Sequence, residues 1–203
     1  MTAATNSEEI FACFELAPSP YVDSDALKEA YTKLSAQFHP DKFSGSDPVE
    51  KKSAESRYSQ INKAYQTLRD PKERLMHLYT ITNGEPPKDI QRVPPGTMDL
   101  FVEVGQLCQK VDAFLKNRAQ TTSAISKAQM MPQMLELQEA IQTVEAKIHT
   151  MEELAETELK ALDTQWKQNN RDLDALEILY RKYSYISRWK QYLEERKLAL
   201  LTN

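Results

Sequence analysis

Three of the five prolines in the first 84 residues of this 203-residue chain, Pro40, Pro48 and Pro71, stand where a helix must stop or start. Pro40 lies between His39 and Asp41. A proline disfavours helix for the residue before it, so a helix arriving from the N-terminal side ends near Phe38. Asp47-Pro48-Val49-Glu50 reads as a helix start, with Asp at the N-cap, Pro at the first helical position and Glu at the third. Asp70-Pro71-Lys72-Glu73 repeats the device, closing one helix and opening another that should stop at Asn83-Gly84. The predicted segments are therefore Ala26 to Phe38, Pro48 to Arg69, and a third from Pro71.

Each of the first two segments carries one apolar stripe. Leu27, Tyr31, Leu34 and Phe38 recur at steps of four, three and four, and Tyr58, Ile61, Tyr65 and Leu68 at three, four and three. The stripes can be buried against each other as an antiparallel hairpin, with Phe11, Phe14 and Leu16 covering one end. His39-Pro40-Asp41 then falls at an exposed tip. There Pro40 stiffens the turn, His39 offers two hydrogen-bonding nitrogens and a charge that switches near neutral pH, and Asp41 accepts from loop amides or a cationic partner. Taken alone, the tripeptide is a helix-ending turn with a solvated histidine. Its place between two amphipathic helices makes it a recognition element.

These residues resemble a known module. Glu9-Ile10-Phe11 through Leu16, Leu27 to Phe38, His39-Pro40-Asp41-Lys42-Phe43, and Ile61-Asn62-Lys63-Ala64-Tyr65-Gln66-Thr67-Leu68-Arg69-Asp70-Pro71 look like a J domain of the DnaJ type, over roughly residues 8 to 78. The resemblance implies a partner, a DnaK-type ATPase chaperone whose ATP hydrolysis the tripeptide stimulates. It implies that His39, Pro40 and Asp41 make the triggering contact, while Lys28, Lys33 and Lys42 supply positive charge toward an acidic surface. Glu29 and Gln37 make the preceding helix less basic than is usual in the family.

Composition excludes several other classes. Four glycines and an abundance of Ala, Leu, Glu, Gln and Lys predict an almost wholly helical protein. The net charge of −4 is shared evenly between the first 80 residues and the rest, and no basic tract offers a footprint for nucleic acid or an anionic membrane. No apolar run approaches the roughly 20 residues of a membrane span. Met1 to Glu9 has neither signal-sequence nor transit-peptide character, so cytoplasm is the expected location. Cys13 and Cys108 fall inside apolar helical patterns and read as buried small hydrophobes rather than ligands or a redox pair. His77 and His149 read as ordinary helix residues. Neither a metal site nor a cofactor is expected.

Glu85 to Gly96 contains Pro86, Pro87, Pro94 and Pro95 and reads as a linker of limited flexibility. Beyond it lie three segments with seam-forming periodicity. Met98 to Arg118 carries Phe101, Val104, Cys108, Val111 and Leu115. Pro132 to about Lys167 carries Leu137, Ile141, Val144, Ile148, Met151, Ala155, Leu159, Leu162 and Trp166. Arg171 to Leu201 carries Leu176, Leu179, Tyr183, Ile186 and Leu193. The connections Gln120–Ser123 and Gln168–Asn170 are short enough for antiparallel neighbours.

A J domain followed by such a bundle resembles the HscB family, J-domain co-chaperones of iron–sulfur cluster biogenesis. Leu179-Tyr180-Arg181-Lys182-Tyr183-Ser184-Tyr185-Ile186, leading into Tyr192-Leu193-Glu194-Glu195, fits that group's pattern. The expected fold is all-α: an N-terminal J domain (1–84), a proline-rich linker (85–97), and an elongated antiparallel three-helix bundle (98–203). The resemblance implies a non-enzymatic adaptor that engages a DnaK/HscA-type chaperone and delivers the iron–sulfur cluster scaffold protein on its bundle; a monomer is the expected state. Other readings are a J protein with a different client and a self-associating structural bundle.

The family's scaffold-binding face lies at the start of the bundle, as Leu or Met side chains followed by Glu. Two stretches fit. Just after the linker come Leu100, Phe101, Glu103, Val104 and Leu107, with Tyr185 of the last helix able to close the patch. Further on come Met131, Met134, Leu135, Glu136 and Glu139, which would imply an inserted helix before them. Chain order favours the first. Burial in the seam is the competing explanation for both, but adjacent Leu100 and Phe101 cannot both face one seam.

Overall fold

Both helix starts anticipated from an aspartate, Asp47 and Asp70, are capped by that aspartate, and Asp23 caps a third start that was expected two residues later. In the computed structural model, which describes residues 10–88 and 93–202, Asp23 accepts the Ala26 amide at 2.8 Å and opens α1 (Ser24–Gln37). Asp47 accepts the amides of Val49 and Glu50 at 2.8 and 3.0 Å and opens α2 (Pro48–Arg69). Asp70 ends α2 and caps α3 (Pro71–Asn83) through the Lys72 and Glu73 amides. Gly84 closes α3 with φ of 83°, a left-handed conformation that a Cβ would strain, and its N–H donates to the Thr80 carbonyl at 2.9 Å. The described residues contain no strand.

After the linker follow α4 (Met98–Gln120), α5 (Ala124–Gln129), α6 (Met131–Lys167) and α7 (Leu173–Thr202). The six-residue α5 was not anticipated; it buries no side chain, so no apolar periodicity announces it. These elements form two compact units. One gathers the described residues up to 88 with Glu158–Tyr180, and the other gathers those from 93 to 157 with 181–202.

In the first unit α1 and α2 pair antiparallel. Tyr31 stacks on Tyr65 with ring centroids 4.0 Å apart and donates its hydroxyl to Asn62 Oδ1 at 2.8 Å, while His39 at the far end of α1 meets Tyr58. Leu27, Ala54, Ile61, Ala64, Leu68, Leu75 and Leu78 are buried beneath them; Phe11 and Phe14 are buried too, and Leu16, expected with them, is half-buried. Two buried charged side chains then fix the segment Pro18–Tyr21. Arg74 donates from Nε to the Pro20 carbonyl at 2.8 Å and also donates to the Leu68 carbonyl. Asp163, near the end of α6, accepts the Ser19 hydroxyl and the Tyr21 amide. Buried charges are tolerated where such partners satisfy them.

In the second unit α4, α6 and α7 run up, down and up. Glu103 pairs with Lys147, and Arg118 reaches Met134, so α4 and α6 are antiparallel. Glu145 with Lys197 and Glu152 with Lys190 make α6 and α7 antiparallel. Asp112 with Arg196, and Phe101 with Tyr185, share one sequence offset, so α4 and α7 are parallel. The α4 seam differs from the expected one. Val104, Cys108 and Val111 are buried as anticipated, but Leu107 and Phe114 fill the core where Phe101 and Leu115 were expected. Because α4 packs on two helices at once, its buried stripe is wider than a single seam and centred further round.

Removing the Asp163 carboxylate would strand the Ser19 hydroxyl and the Tyr21 amide. Asp163→Ala is expected to destabilise the first unit by about 2 kcal/mol and to speed amide exchange in residues 18–22. Urea denaturation followed by hydrogen exchange reads both, and wild-type exchange across that segment would count against the account.

Candidate functional site

The turn after α1 is rigid and open to water. His39 has extended backbone and caps a short 3-10 turn, Pro40–Phe43. Its Nδ1 accepts the Asp41 amide at 3.3 Å, which places the proton of the neutral ring on Nε2. The Lys42 N–H donates to the His39 carbonyl at 3.0 Å and the Ser46 N–H to Phe43 at 3.2 Å, so loop amides are consumed locally. The ring stands edge-on to Tyr58 at 5.5 Å and is braced there, with 47 % of its side-chain surface exposed. Asp41 has 90 % exposed, and its Oδ2 lies 3.5 Å from His39 Nδ1. Residue types at the tip were readable from sequence; Tyr58 as the brace for the imidazole was not, although its place on the α2 stripe was.

The accompanying lysines differ among themselves. Lys28 and Lys42 are exposed, as expected for charges that face a partner. Lys33 is exposed too, but its ammonium lies 2.7 Å from Glu29 one turn earlier. That hydrogen bond and its charge hold the Glu29 carboxyl below the ordinary range. Part of the positive field of α1 is thereby neutralised on its own helix.

The second surface is carried by α4 and α7. Of the first predicted stretch, Phe101 is 42 % exposed, Leu100 and Glu103 are half-buried, and Val104 and Leu107 are buried. Val104 and Leu107 belong to the core between the helices, so neither is available to a partner. Met98 and Val102, which sequence reasoning did not select, are exposed beside Phe101. Tyr185 comes to Phe101 as an edge-on pair at 6.1 Å and continues into Trp189 at 5.5 Å. The expected closing of the patch by Tyr185 is thus a physical contact.

The alternative stretch is also partly open. Met131 and Leu135 are exposed with Glu136 and Glu139, while Met134 is half-buried against Arg118. α5 precedes this stretch, which carries no aromatic pair.

Residues 13–77 match the DnaJ domain. Over 75 residues the chain is 42% identical to the co-chaperone protein HscB homolog of Shewanella halifaxensis, covering 37% of this chain and 43% of that protein. It is 39% identical over 70 residues to the homolog of Neisseria meningitidis, covering 34% and 42%. The matched stretch therefore spans less than half the length of these relatives. Chaperone HscB from Vibrio cholerae superposes with a TM-score of 0.59 and 22% identity, covering 92% of this chain and 95% of that one. Human co-chaperone protein HscB gives 0.62 and 20%, covering 93% and 82%.

Residues 13–77 form a J domain, similar over this stretch to HscB homologs, and the chain shares the fold of the HscB structures over nearly its whole length. No helix among the described residues is long and apolar enough to cross a membrane.

Both thiols lie apart from these surfaces as buried, unbridged residues. Burial pushes each thiol up from its ordinary value, with Arg57 partly opposing this at Cys13 and Arg196 at Cys108. A raised pKa lowers the thiolate fraction, so iodoacetamide at pH 8 should leave both unmodified over minutes and label both after denaturation. Rapid labelling of the folded chain, read by mass spectrometry, would contradict the packing described.

Proposed function

We propose that this protein is a co-chaperone without catalysis of its own. The J module of residues 1–84 stimulates the ATPase of a DnaK/HscA-type chaperone through His39, Pro40 and Asp41, with Lys28, Lys33 and Lys42 steering the encounter. Residues 85–97 serve as linker, and the helices of 98–203 hold the iron–sulfur cluster scaffold protein at Leu100, Phe101, Glu103 and Tyr185. The observation that carries the reading is the braced, solvent-facing His39–Asp41 tip within a J domain similar to that of HscB co-chaperones. The client half rests on the resemblance to the HscB family and on the Phe101–Tyr185 pair, of which Phe101 is exposed and Tyr185 half-buried.

A stiff turn suits this work because its groups pay little ordering entropy on contact. Holding a client on the same chain raises its effective concentration at the chaperone. The face at Phe101 is favoured over that at Met131 and Leu135, because a pair of aromatic side chains from two helices makes a better anchor than isolated aliphatic ones.

His39→Gln should fold as the wild type does, by circular dichroism and melting, and should lose stimulation of the chaperone's single-turnover ATPase. Undiminished stimulation would sink the proposed working end. In the same assay, wild-type protein and the cluster scaffold should act synergistically, and Tyr185→Ala should reduce that synergy by about tenfold. Absence of synergy with the wild type would point to another client.

A further inference from the structure

One cation beside the aromatic face stands apart from its neighbours. Lys147, Lys190, Arg196 and Lys197 are each committed to a carboxylate of a facing helix: Glu103, Glu152, Asp112 and Glu145. Arg188 has no such partner among the described residues. Its exposed guanidinium instead lies over the Tyr185 ring, 5.6 Å from the centroid. Tyr185, Arg188 and Tyr192 follow one another at steps of three and four on α7, so they form one stripe. Tyr192 is exposed, and Phe101 borders the stripe from α4.

A guanidinium attracted to a ring by its charge spends none of its N–H groups on a carboxylate, so they stay available to a partner. That is the arrangement that meets a carboxylate with two parallel hydrogen bonds. A stabilising role within the free protein would be better met by a carboxylate one turn away on the same helix. The residues four before and four after Arg188 are Ser184 and Tyr192, and three before and three after are Tyr185 and Gln191. Sequence spacing therefore withholds from Arg188 the partner that Lys33 has in Glu29.

We infer that Arg188 makes the Phe101–Tyr185 face a receptor for a carboxylate. The docking segment of the scaffold protein presents an Asp or Glu beside the apolar side chain that meets the two rings. This rests on the reading that the face meets the scaffold protein. Phe101 and Tyr185 supply apolar contact, and Arg188 supplies selection by charge and orientation.

The test is titration of the apo scaffold protein into the full chain by calorimetry, at low and at physiological salt. Arg188→Glu should weaken binding about tenfold or more, and Arg188→Lys should keep only part of the affinity because an ammonium offers no planar fork. One Asp→Lys or Glu→Lys substitution on the scaffold should restore binding to Arg188→Glu while weakening binding to the wild type. Arg188→Gln guards against misfolding of the reversed-charge variant. If Tyr185→Ala weakens binding but Arg188→Glu and Arg188→Gln bind as the wild type does, the carboxylate receptor is refuted and the face stands. If Tyr185→Ala also binds normally, the face itself is wrong, and the inference falls with it.

Discussion

The antiparallel contact of α1 with α2 is what the working turn depends on. Tyr31 stacked on Tyr65, and its hydroxyl bonded to Asn62, set the register of the two helices. That register brings Tyr58 under His39. A slip of one residue on either helix would rotate the stripes apart by about 100° and leave the imidazole unsupported. Pro40 contributes the other half of the constraint, since it ends α1 and stiffens the backbone between the two functional side chains. The tip is thus rigid because the helices are paired and because its own amides are already used.

Around that hairpin, the segment Pro18–Tyr21 is held by two charges that burial would otherwise make costly. Arg74 takes carbonyls at Pro20 and Leu68, and Asp163 takes donors at Ser19 and Tyr21. The pair works because irregular backbone offers polar groups that no helix ladder satisfies. Asp163 lies in a part of α6 far along the chain. For this reason the compact unit that contains the J domain also takes in Glu158–Tyr180.

On α4 and α7 a different economy holds. The interior consumes Val104, Leu107, Cys108, Val111 and Phe114, and what remains outside is Met98, Phe101 and Val102. Tyr185 and Arg188 meet this surplus from α7. Ion pairs between helices, such as Asp112 with Arg196, stitch the bundle beside it without covering it.

The sequence by itself determined the helices and most of their ends. Aspartate–proline starts and the Asn83-Gly84 stop act within one turn, so local chemistry suffices to place them. It determined the exposed turn too, because a proline between two amphipathic helices leaves little choice, and it supplied Tyr185 as a partner for Phe101. Tertiary structure alone decided which side of α4 is core. A helix packed on two neighbours buries a wider arc than its own periodicity reveals, which moved Leu107 and Phe114 inside and left Phe101 out. Only the fold could show Tyr58 as a brace, Asp163 as an anchor for Ser19, and Arg188 without a carboxylate. Those are contacts between residues distant along the chain or accidents of orientation, and no local pattern encodes them.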